Sequence, residues 1–61
     1  MYLYQCETIP QIKIAEWLET KGVTADNIAQ AELLDHSTVR ITNPAGVYLT
    51  IRWADERAEL I

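Results

Sequence analysis

The chain has one cysteine, one histidine, two glycines, two prolines and no phenylalanine, and its nine acids outnumber five basic residues. Each shortage excludes something. A single cysteine rules out an intramolecular disulfide framework. Cys6 and His36 are the only soft ligands, so a zinc site within one chain lacks its donors. A net charge of −4 removes the bulk attraction on which duplex nucleic-acid binding depends. No run of about 18 apolar residues occurs, and no basic segment leads into an apolar one, so neither a membrane span nor a signal peptide is expected. A lone free thiol suits a reducing compartment, and the expected location is cytoplasmic. Sixty-one residues allow one domain, 1–61, with a small core that a second copy could complete. At 49% hydrophobic residues the chain is far from the composition of a disordered one.

What is present is clearest at Thr38–Trp53, which reads as a β-hairpin. Asn43-Pro44-Ala45-Gly46 fits a type I turn, with Pro pre-setting φ and Gly free to take the left-handed conformation that closes the loop with a bulge. That turn sets Thr42 opposite Tyr48, Ile41 opposite Leu49, Arg40 opposite Thr50, Val39 opposite Ile51 and Thr38 opposite Arg52. In this register Val39, Ile41, Val47, Leu49 and Ile51 share one face, with Trp53 next along it. Thr38, Arg40, Thr42, Tyr48, Thr50 and Arg52 share the other. A slip of one residue would scramble both faces, so turn and alternation support one register.

Ahead of the hairpin, Thr8 with Gln11 three residues later forms a capping-box pattern, and Pro10 fits a first helical turn. A helix is expected from Ile9 to Lys21, stopped by Gly22. Ile14, Trp17, Leu18 and Lys21 follow helical spacing, widened by Ile12 and Ala15, and form the expected core stripe. Residues 28–34 admit two readings. Ala, Gln and Glu favour helix, with Thr24 as a cap. The preferred reading is a strand joined to the hairpin by Asp35-His36-Ser37, because it pairs Leu33 with Val39, Glu32 with Arg40 and Ala31 with Ile41. Met1–Cys6, with β-formers and no Gly or Pro, is expected to be a first strand. The tail from Ala54 carries three acids in five residues and is expected to be a solvated segment or a short helix, with Leu60 and Ile61 tucked back.

The expected fold is therefore α+β: an antiparallel sheet in the order strand, helix, strand, strand, strand, with the helix on one face. No catalytic, metal or cofactor motif is present. Cys6 has no basic neighbour to lower its pKa and reads as a buried or half-buried thiol. His36 reads as a surface-turn residue, and contiguous Asp35-His36-Ser37 is not read as a triad, because adjacent residues in a tight turn rarely converge. The chain is expected not to be an enzyme and to need no cofactor.

The function expected is that of a small non-catalytic interaction or regulatory protein, binding a protein partner or itself. Compact acidic chains of this kind suit phage, plasmid or accessory-gene products. The candidate partner-binding face is Arg40, Thr42, Tyr48, Thr50 and Arg52, since Tyr and Arg are enriched at interface hot spots. The alternative is nucleic-acid binding, either through stacking on the Arg40/Tyr48/Arg52 face or through a winged-helix-like arrangement. A homodimer is also expected, with Tyr2 and Tyr4 of the first strand at its edge, because that strand lacks charge and Pro.

Overall fold

The computed structural model describes residues 3–61. Helix α1 (Ile9–Thr20) is followed by a single 3-10 turn (Ala25–Asn27) and four strands, β1 (Gln30–Asp35), β2 (Thr38–Thr42), β3 (Tyr48–Ala54) and β4 (Arg57–Leu60). The strands form one antiparallel sheet in the order β1-β2-β3-β4, and the helix packs on β2 and β3. This is the α+β class the sequence implies.

The hairpin of β2 and β3 has the register set by its turn, from Thr42 opposite Tyr48 to Thr38 opposite Arg52. Asn43 organises the loop. Its backbone N–H donates to Val47 at 2.8 Å, and its Oδ1 accepts from the amides of Ala45 and Val47 at 3.0 Å each. Gly46 sits at φ +87°, where a side chain would be strained. Residues 30–35 are strand, and Ala31, Glu32 and Leu33 pair as expected. Leu34 departs from its expected place opposite Thr38. A bulge between Leu33 and Asp35 hands that partner to Asp35 and leaves Leu34 exposed. The strand also removes the second helix that a winged-helix-like arrangement needs.

Helix α1 begins with the full capping box. Thr8 Oγ1 accepts from the Gln11 N–H, and Gln11 Oε1 accepts from the Thr8 N–H. It ends in a Schellman pair, Val23 N–H to Leu18 C=O and Gly22 N–H to Glu19 C=O, both 3.1 Å. The buried stripe is Gln11, Ile14, Ala15 and Leu18, not one centred on Trp17. These four also have i, i+3, i+4, i+7 spacing, but the stripe includes a glutamine, which pattern reading scores as polar. Trp17 is therefore on the flank, half-buried, with Lys21 Nζ 5.7 Å from its ring centroid. The core is Ile14, Leu18, Val39, Ile41 and Ile51. Val47 and Leu49 share the inner face but lie beyond the helix, 66% and 38% exposed.

The two ends of the chain differ from expectation. Leu3–Cys6 is bend and coil, not strand, and Met1 and Tyr2 lie outside the described residues. Leu3 and Tyr4 are adjacent yet both pack on the core, which successive residues of a strand cannot do. The Tyr4 hydroxyl donates to the Gln11 carbonyl at 3.1 Å. Tyr4 is thus cover for the core rather than part of a sheet edge. The tail supplies the fourth strand instead. Asp55 and Glu56 have φ of 53° and 59°, so a two-residue turn with positive φ at both positions connects β3 to β4. Alternation along Arg57-Ala58-Glu59-Leu60 points Ala58 to the core and Arg57 and Glu59 away from it. Leu60 and Ile61 stay exposed rather than tucking back.

Candidate interaction face

Because Val39, Ile41 and Ile51 turn toward the helix, their neighbours in sequence turn the other way. Arg40, Thr42, Tyr48, Thr50 and Arg52 therefore share the sheet face opposite α1, which carries no helix among the described residues. Register places Thr42 beside Tyr48 and Arg40 beside Thr50 on adjoining strands.

Arg40 is the centre of this group. Its Nε donates to Thr50 Oγ1 at 3.2 Å, and its guanidinium carbon lies 5.0 Å from the Tyr48 ring centroid. The hydrogen bond and the cation–π contact hold a long side chain in one place, which lowers the entropy lost when something binds it. Tyr48 remains 63% exposed, with a flat apolar ring and a hydroxyl that donates and accepts. Arg52 is engaged differently, through Nη2 to Glu59 Oε2 at 3.3 Å. Such an exposed pair contributes roughly 0–1 kcal/mol and exchanges readily for another carboxylate.

Arg57 and Glu59 extend the same face from β4, and a solvated or helical tail would not have put them there. The signal was the alternation of Arg57-Ala58-Glu59-Leu60. It was masked by a turn, Asp55-Glu56, whose residues do not advertise positive φ. All three arginines of the chain thus lie on this face, against the strand acids Glu32, Asp35 and Glu59, while both lysines are on the helix side. A chain of net charge −4 has concentrated its guanidinium groups on one surface.

Elsewhere, Cys6 is half-buried, Sγ donates to the Tyr4 carbonyl at 3.5 Å, and burial pushes the thiol's pKa up, opposite to what a nucleophile needs. His36 is exposed in the β1–β2 turn. Among the described residues no three His, Cys, Asp or Glu side chains gather as metal donors. No helix of the described residues is long and apolar enough to cross a membrane. A groove of about 580 Å³ runs between the flank of α1 and the β3–β4 turn, with Ile9, Trp17, Trp53 and Glu56 among its walls. No family model, curated protein or solved structure matches the chain.

Proposed function

We propose that this is a small, non-catalytic cytoplasmic interaction or regulatory protein that binds a protein partner through Arg40, Thr42, Tyr48, Thr50 and Arg52. The observation that carries this reading is the exposed Tyr48 ring held against Arg40 on a sheet face without a helix. Tyr and Arg give large contact area, fork-shaped hydrogen bonding and little entropy cost, which is why they recur at interface hot spots. The threonines between them give a flat rim without bulky projections. The test is affinity capture from the source lysate with the parent chain, Tyr48→Ala, Arg40→Glu and the helix-side control Lys13→Glu. A species retained by the parent and the control, and lost by both face variants, supports the reading. Identical retention by all four chains rejects it.

Nucleic-acid binding is the second reading, favoured by the gathering of all three arginines on the sheet face that carries Tyr48. Single strands would stack on Tyr48 and place phosphates near the guanidinium groups. Such binding weakens steeply with salt, so anisotropy of a labelled single strand at two salt concentrations separates it from a protein partner.

A further inference from the structure

Among the described residues the sheet has two open edges, β1 and β4, and they differ in what they offer a second copy. In β1 the outward backbone groups belong to Ala31 and Leu33, and the bulge before Asp35 interrupts them. A two-fold axis on Glu32 would oppose like charges, one on Ala31 would set Glu32 against Gln30, and one on Leu33 would set Glu32 against Leu34 at the bulge. None of the three creates an ion pair.

Strand β4 is different. The Ile61 N–H donates to the Thr50 carbonyl at 3.0 Å, which fixes the phase of the ladder. Arg57, Glu59 and Ile61 bond to β3, so the N–H and C=O of Ala58 and Leu60 point out from the edge. Two copies related by a two-fold axis, with outward groups meeting outward groups, must pair about a single residue: Arg57, Ala58, Glu59 or Leu60. Pairing about Arg57 or Glu59 sets that charge against its own copy. Pairing about Leu60 sets Glu59 against an isoleucine. Pairing about Ala58 sets Arg57 against the partner's Glu59, and the symmetry repeats that ion pair. Only alanines meet on the inner side of the axis.

We propose that the β4 edge is a homodimerisation surface, two copies pairing antiparallel about Ala58 into one continuous sheet. Short, charged edges normally resist pairing. Here the charges flanking Ala58 are opposite in sign, so a second copy of the same edge satisfies both. Arg57 makes no ion pair among the described residues, and the pairing provides one. Glu59 would then lie between Arg52 of its own chain and the partner's Arg57. Leu60, 61% exposed on the inner side, would sit beside the partner's Glu56, at the mouth of the groove bordered by tryptophans. The inference does not rest on the partner-binding reading, because it uses the backbone edge of β4 with the charges of Arg57 and Glu59, and neither Arg40 nor Tyr48.

The experiment is light scattering on the parent chain, Arg57→Glu, Glu59→Arg and an equal mixture of the two variants, each checked for folding by circular dichroism. The parent should be a dimer at high micromolar concentration. Each variant alone opposes like charges twice and should dissociate at least about tenfold more readily. The mixture restores two opposite-charge pairs and should dimerise again as a heterodimer. A monomeric parent, or variants that dimerise as well alone as the parent does, overturns the proposal. A second measurement needs no variant: the Ala58 amide should exchange slowly in concentrated parent protein and quickly on dilution. Exchange independent of concentration also overturns it.

Discussion

The Gln11 side chain, 2% exposed, donates from Nε2 to the backbone carbonyl of Asp35 at 2.9 Å, joining the first turn of α1 to the end of β1. Its Oε1 accepts from the amides of Glu7 and Thr8 at 2.7 and 3.1 Å, and Thr8 Oγ1 donates in turn to the His36 carbonyl. One buried amide therefore caps the helix and fixes it to the β1–β2 turn. Leu18, Ile14 and the sheet supply the apolar burial, and Gln11 fixes where along the sheet the helix starts.

Replacing Gln11 with Ala leaves a carbonyl and two amides short of a partner in a partly buried place. The expected loss is about 2–3 kcal/mol, or roughly 10–20 °C in Tm for a domain of this size. Gln11→Met keeps the length but not the polar atoms and should lose most of the same stability. Thermal unfolding followed by circular dichroism checks both. A Tm within a few degrees of the parent for Gln11→Met would show that the polar links contribute little.

The inner face is not uniformly core. Ile51→Ala should cost about 2–5 kcal/mol, as deletion of a buried branched side chain does. Ile51 is fully buried, whereas Val47 is 66% exposed on the same face. Val47→Ala should therefore change stability by less than about 0.5 kcal/mol. Chemical denaturation of the two variants distinguishes them, and equal losses would mean that α1 covers Val47 as well as Ile51.

Asp35 provides a pH prediction. The Ser37 amide donates to its Oδ1 at 2.9 Å, and hydroxyls of Thr38 and Ser37 add to it, holding the carboxyl pKa below its ordinary 3.8. A folded-state value lower than the unfolded one stabilises the fold at pH above the unfolded value. That contribution is lost as pH falls through the folded value. NMR titration should place Asp35 below the free carboxylate, and Asp35→Asn should flatten the acid limb of the stability profile. A normal Asp35 titration would remove the turn from the acid response.

The β3–β4 turn holds Glu56 at φ 59°, where L-residues with a Cβ are disfavoured. Glu56→Gly creates an Asp-Gly pair suited to a two-residue hairpin turn. After the flexibility glycine adds to the unfolded chain, a net gain of about 0.5–1 kcal/mol is expected. A lower midpoint in denaturant would show that the Glu56 side chain contributes more than its backbone costs.

Legibility in the sequence followed the physics of each segment. The β2–β3 register was readable because Asn43-Pro44-Ala45-Gly46 and the alternation of Val39, Ile41, Leu49 and Ile51 constrain the same quantity independently. The helix bounds were readable from Thr8, Pro10, Gln11 and Gly22. Its buried face was not, because Gln11 is buried through hydrogen bonds to distant backbone, which apolar periodicity does not register. Leu3–Cys6 has the composition of a strand, and composition carries no information about two adjacent side chains both turning inward. Strand β4 was hidden by acids that suggested solvent and by a turn with no glycine or asparagine. The candidate face was legible as far as the hairpin reached, and Arg57 and Glu59 were missed with β4.

The proposed binding surface is the sheet face of Arg40 and Tyr48, opposite α1. A photoreactive residue placed at Tyr48, and in a separate chain at the exposed helix position Glu19, tests it most directly by crosslinking in the source cells. A discrete adduct is expected from position 48, absent from position 19 and lost when Arg40 is also changed to Glu. Adducts of equal yield from both positions, or from position 19 alone, would contradict it.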